Sequence, residues 1–230
     1  MKKCCVFLFV SFFLILLSAE YYSGDSEEAE RVLRAPVWVF VEGQPGLMSE
    51  EEGNAFIPAR EALQDIAQFL LSGLSYGWKF SYTPSDKARA VKEVFEMDMI
   101  VGDYKLDKLK IRYKDVSVKY PYVHSWVEYP LHKDEVSGHA MWAALKFKTI
   151  KGRGTGERKD ELKGVKTAYT NAIKDAIMKY AKKTVKNRPK CLVGEVLLKS
   201  SPRLFCASGL FKAEVELFIN IREVIPYTAF

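Results

Sequence analysis

His124, His132 and His139 are the three imidazoles of a 230-residue chain, and all fall within sixteen positions, with Glu128, Asp134 and Glu135 among them. Imidazoles titrate near neutral pH, so such a group can supply a general acid or base, or nitrogen ligands to a metal. A zinc site needs three or four N, S or O ligands in tetrahedral array. These spacings match no short metal motif, and the chain has neither HExxH nor CxxC. The expected reading is therefore loop histidines, with His132 and His139 flanking a turn that contains Asp134 and Gly138. The rival is an exported hydrolase, metal-assisted in one version, that uses the His124/His132/His139 region. No cofactor is implied.

The run Gly152-Arg153-Gly154-Thr155-Gly156 precedes a helical pattern. Open backbone amides, Arg153 and a positive helix terminus can together hold an anion. The run lacks the GK[ST] ending of a nucleotide loop, so a flexible, glycine-rich basic connection over Lys151–Lys159 is the expectation. Lys110, Arg112, Lys114, Arg153, Lys159, Lys163 and Lys166 are the candidates for a basic binding surface, directed at an anionic envelope component or a protein partner. Tyr76, Trp78, Phe80 and Tyr82 alternate, which suits a sheet's core face better than a stacking platform.

The charge is unevenly spread. Residues 20–100 hold 15 acids and 7 bases, a net of −8, while residues 101–200 hold 11 acids and 23 bases, a net of +12. The two halves can attract each other within the fold, or the basic half can face an anionic partner. With 48% hydrophobic and 28% charged residues, the chain is neither disordered nor collagen-like.

Residues 1–19 read as a signal peptide: Lys2 and Lys3, an apolar run from Cys4 to Leu17, and Leu17-Ser18-Ala19 as the cleavage site. The apolar run is about 24 Å long as a helix, short of the roughly 30 Å hydrocarbon core. The expectation is a periplasmic or secreted mature chain without a membrane span, the alternative being a membrane tether through an uncleaved segment. An exported chain is not expected to meet nucleic acid. Cys191 and Cys206 survive cleavage and are the disulfide candidates in an oxidising compartment.

These residues need a scaffold. Residues 20–35 form a polar lead-in, and 36–230 read as a single domain; a two-lobe version would divide near Gly102. Val37–Val41 reads as a strand. A helix starts near Pro58 and stops at Gly73, and Leu74–Tyr82 alternates as a strand. Thr83-Pro84-Ser85-Asp86 predicts a helix start, with Ala88, Val91 and Phe95 as its stripe. A phase slip after Asp115 predicts a bulge, and Pro121 and Pro130 bracket another strand. Met141–Ile150 reads as a strand, roughly Arg158–Val185 as a long helix, and Cys191–Leu198 and Lys212–Arg222 as the closing strands. The order gives an α+β fold: a largely antiparallel sheet with about three helices packed on one face. The functional expectation is a bacterial-type exported envelope protein, a non-enzymatic binding module with a basic surface.

Overall fold

Alternation of apolar and polar residues puts one face of Val32–Phe40 in the core: Leu33, Ala35, Val37 and Val39 are buried. This is β1 of a computed structural model that describes residues 31–43, 57–100, 106–144, 147–185 and 187–227. The leader, the lead-in up to residue 30 and the Gly102 boundary lie outside the described residues. β1 begins inside the lead-in, at Val32.

Helix α1 (Ala59–Ser75) buries Ala62, Leu63, Ile66, Ala67 and Leu70 along one face, as their spacing requires. β2 (Trp78–Thr83) and β3 (Val94–Met99) follow, then β4 (Arg112–Lys119) and β5 (Tyr122–Pro130). Helix α2 spans Lys133–Ala144, β6 Lys148–Glu157 and helix α3 Glu161–Thr184. β7 (Cys191–Leu198), β8 (Arg203–Ala207) and β9 (Leu210–Ile225) complete the fold. Every strand pairing is antiparallel, giving an α+β architecture. The strands divide into two sheets. A three-stranded sheet has the order β1-β5-β4; a six-stranded sheet has the order β3-β2-β7-β9-β6, with β8 also on β9. α1 packs against β1 and β7, and α3 lies along β6 and β9. Val32–Phe230 form one compact unit.

Four expectations need correction. First, no helix follows Thr83. The Asp86 carboxylate accepts the Ala88 and Arg89 N–H groups, Asp86 and Val91 pair across the turn, and Ala90 takes φ 54°, which together close a tight loop before β3. Second, Lys133–Ala144 is helical where the sequence predicts a turn with Asp134 and Gly138 between His132 and His139 and where Met141–Ile150 reads as strand, so His139 lies within a helix and not in a loop. Glu135 reaches back to the His132 N–H at 2.6 Å, the N3-to-cap half of a capping box. Third, Lys151–Lys159 is no loop: most of it is strand β6, and a single turn at Arg158–Asp160 leads into α3.

The glycines of β6 have a packing role. A Cβ on Gly152 would fall 2.0 Å from the Ala172 carbonyl oxygen, and on Gly156 2.0 Å from that of Gly164. Gly164, Ala168, Ala172 and Ala176 recur every four residues on α3, so helix and strand meet backbone to backbone. Asp175 accepts the Arg153 N–H at 2.9 Å, and Asn171 donates to the Thr155 carbonyl at 2.8 Å. These two side chains satisfy backbone groups on the outer edge of β6.

Fourth, Cys191 and Cys206 are free. They pair with Ile225 and Phe211, at opposite ends of β9. Fourteen residues at about 3.3 Å each separate them by roughly 45 Å, whereas a disulfide needs Cα atoms within about 7 Å.

The charge halves meet inside the fold. Lys166 lies 2.5 Å from Asp65, and Lys174 3.0 Å from Glu93. Tyr82 also donates to Glu93 at 2.9 Å. The Lys174 hydrogen bond, opposed by burial and aided by Tyr82, holds the Glu93 carboxyl below its ordinary range. A depressed carboxyl stabilises above its unfolded pKa, and the contribution is lost as pH falls through the folded value. Glu93→Gln is therefore expected to be less stable than the parent at neutral pH. Urea unfolding across a pH series should show the two converging below about pH 4, the unfolded glutamate range.

Candidate binding face

Cross-strand register sets out the open face of the three-stranded sheet. Arg34 stands opposite Glu128, and Pro36 opposite Trp126, between β1 and β5. Arg112 stands opposite Glu128, and Lys114 opposite Trp126, between β5 and β4. Alternation sends the neighbours of these residues, Leu33, Ala35, Val37, Val127 and Tyr129, into the core on the other face. The predicted bulge is present: the register shifts between Lys114 and Ser117, with Asp115 at φ 51°. Beyond it Lys119 pairs with Tyr122, toward the other end of the face.

Trp126 remains 38% exposed on this face. The Arg34 guanidinium sits 4.5 Å from its ring centroid. The same guanidinium lies 3.4 Å from both Asp115 and Glu128. Arg34, Arg112 and Lys114 thus face two carboxylates, Asp115 and Glu128, leaving a net charge of +1 around an exposed indole. Lys110 adds a further exposed cation in the turn Lys108–Lys110 that leads into β4. Such a face can attract an anion and offer a flat apolar surface beside it.

The other end of the face is closed. Trp38 meets Tyr122 edge-on at 4.9 Å and Phe211 at 5.9 Å, and its indole N–H donates to the Leu204 carbonyl at 3.4 Å. Phe40 packs 6.1 Å from Phe211, with the Arg158 guanidinium 5.3 Å from the Phe40 ring. This aromatic cluster joins the two sheets.

Of the seven predicted basic residues, Lys110, Arg112 and Lys114 come together at β4. The other four belong to the β6–α3 side. Arg153 lies 2.9 Å from Glu214, Lys159 3.2 Å from Glu157, and Lys166 is bound to Asp65; Lys163 is exposed on α3. Three of those four are therefore engaged with acids of the same chain. Arg34 and Trp126 escaped the sequence reading. The signal for Trp126 was its alternation with Tyr122 and His124 between the two prolines.

The histidines occupy three different settings. His124 lies 6.2 Å from Trp38 and 6.1 Å from Tyr122 on the sheet face, where burial and then Lys119 lower its pKa. His132 is exposed at the start of α2, 3.6 Å from Asp134. His139 is buried about 10 Å further along the helix axis. Glu135 accepts hydrogen bonds from Tyr76 and Tyr129, which tie α2 to the body. Among the described residues no group of three or more His, Cys, Asp and Glu side chains is arranged to hold a metal. The described helices include none long and apolar enough to cross a membrane.

A protein-family profile matches residues 21–227. An uncharacterized protein of Treponema pallidum (strain Nichols) is 39% identical over 212 residues, which cover 92% of this chain and 89% of that one. No solved structure matches.

Proposed function

The chain belongs to the family of that Treponema pallidum protein, and from this premise we propose that it is an exported envelope protein that works by binding an anionic envelope component on the open face of the three-stranded sheet. The observation that carries the reading is the grouping of Arg112 and Lys114 on β4 beside the exposed Trp126. Export is supported by the charged, apolar and small-residue pattern of residues 1–19. The family match also begins at residue 21, just past the expected cleavage site.

Exposed charge attraction is screened over about 10 Å at 0.1 M salt, so binding should weaken steeply as salt rises. A cation near an anionic surface contributes about 1 kcal/mol. R112Q/K114Q is therefore expected to bind phosphatidylglycerol vesicles about thirtyfold more weakly than the parent at low salt. Equal affinity of the two proteins, or affinity indifferent to salt, rejects the reading. N-terminal sequencing and fractionation of the native protein test the export half, because a chain found inside the cell with Met1 intact contradicts it.

A further inference from the structure

The two sheets have five outer strands, β1, β3, β4, β6 and the short β8, and the fold treats them unequally. β1 is covered by the segment at β8: Ser201, just before that strand, donates to the Arg34 carbonyl at 3.1 Å, and within β8 the Leu204 carbonyl receives the Trp38 indole N–H, a contact that also occupies β8. β6 is covered by Asp175 and Asn171 of α3. β3 and β4 are left open: among the described residues, β3 hydrogen-bonds as a strand to β2 alone and β4 to β5 alone.

The two open edges carry opposite charge. β3 exposes Glu96 and Asp98 two residues apart, with Val94 48% and Met99 55% exposed beside them. β4 exposes Arg112 and Lys114, also two residues apart. Lys79 stands opposite Asp98 on β2, and Glu128 opposite Arg112 on β5. Lys79 does not close to ion-pair distance, and Glu128 is held by Arg34. Like charges directly opposite each other destabilise a strand pair, while opposite charges stabilise it. Pairing β3 with β3, or β4 with β4, would set acids near acids or cations near cations. Pairing β3 with β4 matches them.

We infer that β3 of one molecule adds to β4 of a second copy, in a head-to-tail contact that extends one sheet into the next. Antiparallel register with Glu96 against Lys114 and Asp98 against Arg112 also sets Met97 against Tyr113 and Met99 against Ile111. The bulge at Asp115 ends the pairing there. Four residue pairs bury less than the roughly 1,000 Å² of a stable interface, so the association is weak, reversible and concentration-dependent. A head-to-tail contact leaves a free β3 and a free β4 at the ends of every assembly, so it grows as a ring or a row rather than stopping at a dimer. This reading goes beyond anion binding by the basic face, although it engages two of the same cations.

Sedimentation velocity of the mature chain over a concentration series tests it. The parent should show a weight-average mass that rises with concentration at low salt and falls back in high salt. E96K/D98K has two basic edges and R112E/K114E two acidic ones, so each alone should sediment as a monomer. Mixed in equal amounts, the two variants should recover the parent's association, and the quadruple variant should associate by itself. Matching melting curves for parent and variants confirm that loss of association is not loss of fold. A parent that stays monomeric up to its solubility limit, or variants that fail to recover association when mixed, overturns the inference. If R112Q/K114Q still weakens vesicle binding in that case, the anion-binding reading stands alone.

Discussion

Gly154→Ala should lower the stability of the fold by about 3 kcal/mol, at the upper end of the usual cost of overpacking. The added Cβ would lie 2.1 Å from the Ala172 nitrogen, 2.3 Å from the Ala168 oxygen and 2.6 Å from the Asn171 carbonyl carbon. All three are backbone atoms of α3, so no rotamer change relieves the clash, and the strand must move away from the helix. The reduced freedom of the unfolded chain returns only about 0.4–1 kcal/mol. For a domain of this size the deficit corresponds to a fall in Tm of roughly 6–12 °C. The same substitution at Gly138 should act in the opposite sense. Nothing lies within 4 Å of a Cβ there, and the position is inside α2, where alanine is favoured over glycine by about 1 kcal/mol. Differential scanning calorimetry of the two variants checks both signs, and an unchanged Tm for Gly154→Ala would mean that helix and strand are not in backbone contact.

Trp78→Ala should cost about 3–5 kcal/mol, and Trp78→Phe far less. Trp78 is 1% exposed and fills the space left by Gly73 on α1, where a Cβ would meet the indole at 2.0 Å. Phe69 packs against the ring at 5.0 Å. Truncation to alanine empties this site. The indole N–H is buried without a hydrogen-bond partner among the described residues, a condition that itself costs about 1–3 kcal/mol. Phenylalanine removes that unpaired donor along with part of the ring, and the two effects offset each other to within about 1 kcal/mol. Urea unfolding should separate the two variants clearly. Comparable losses in both would show that the missing volume, not the unpaired donor, dominates at this position.

The parts of the fold that the sequence disclosed are those with a simple period and unambiguous ends. β7 runs from Cys191 to Leu198 as its pattern requires, and α3 buries Val165, Tyr169, Ile173 and Ile177 at helical spacing. The slip after Asp115 told of a bulge because a one-residue insertion inverts which side chains face inward. The failures share a cause: local propensity was overruled by contacts distant in sequence. Glycines that suggest a loop became strand β6 because a helix backbone needed close approach. Ala88, Val91 and Phe95 imitate a helical stripe, but the Asp86 side chain captures the amides that a first turn would offer. His132 conceals the start of α2 because its backbone N–H, not its ring, takes part in the cap. Of the candidate face, Lys110, Arg112 and Lys114 were visible as a cationic alternation. Arg34 was not, because it is brought to Trp126 by a strand pairing across some ninety positions of chain.

The close seating of β6 on α3 has a mechanical consequence. A terminal strand ordinarily frays first, because a single neighbour restrains it. β6 has β9 on one flank, while a helix lies against its glycines and hydrogen-bonds to its far flank. The rim of the larger sheet at β6 is therefore restrained on both flanks, where an edge strand ordinarily has one side free.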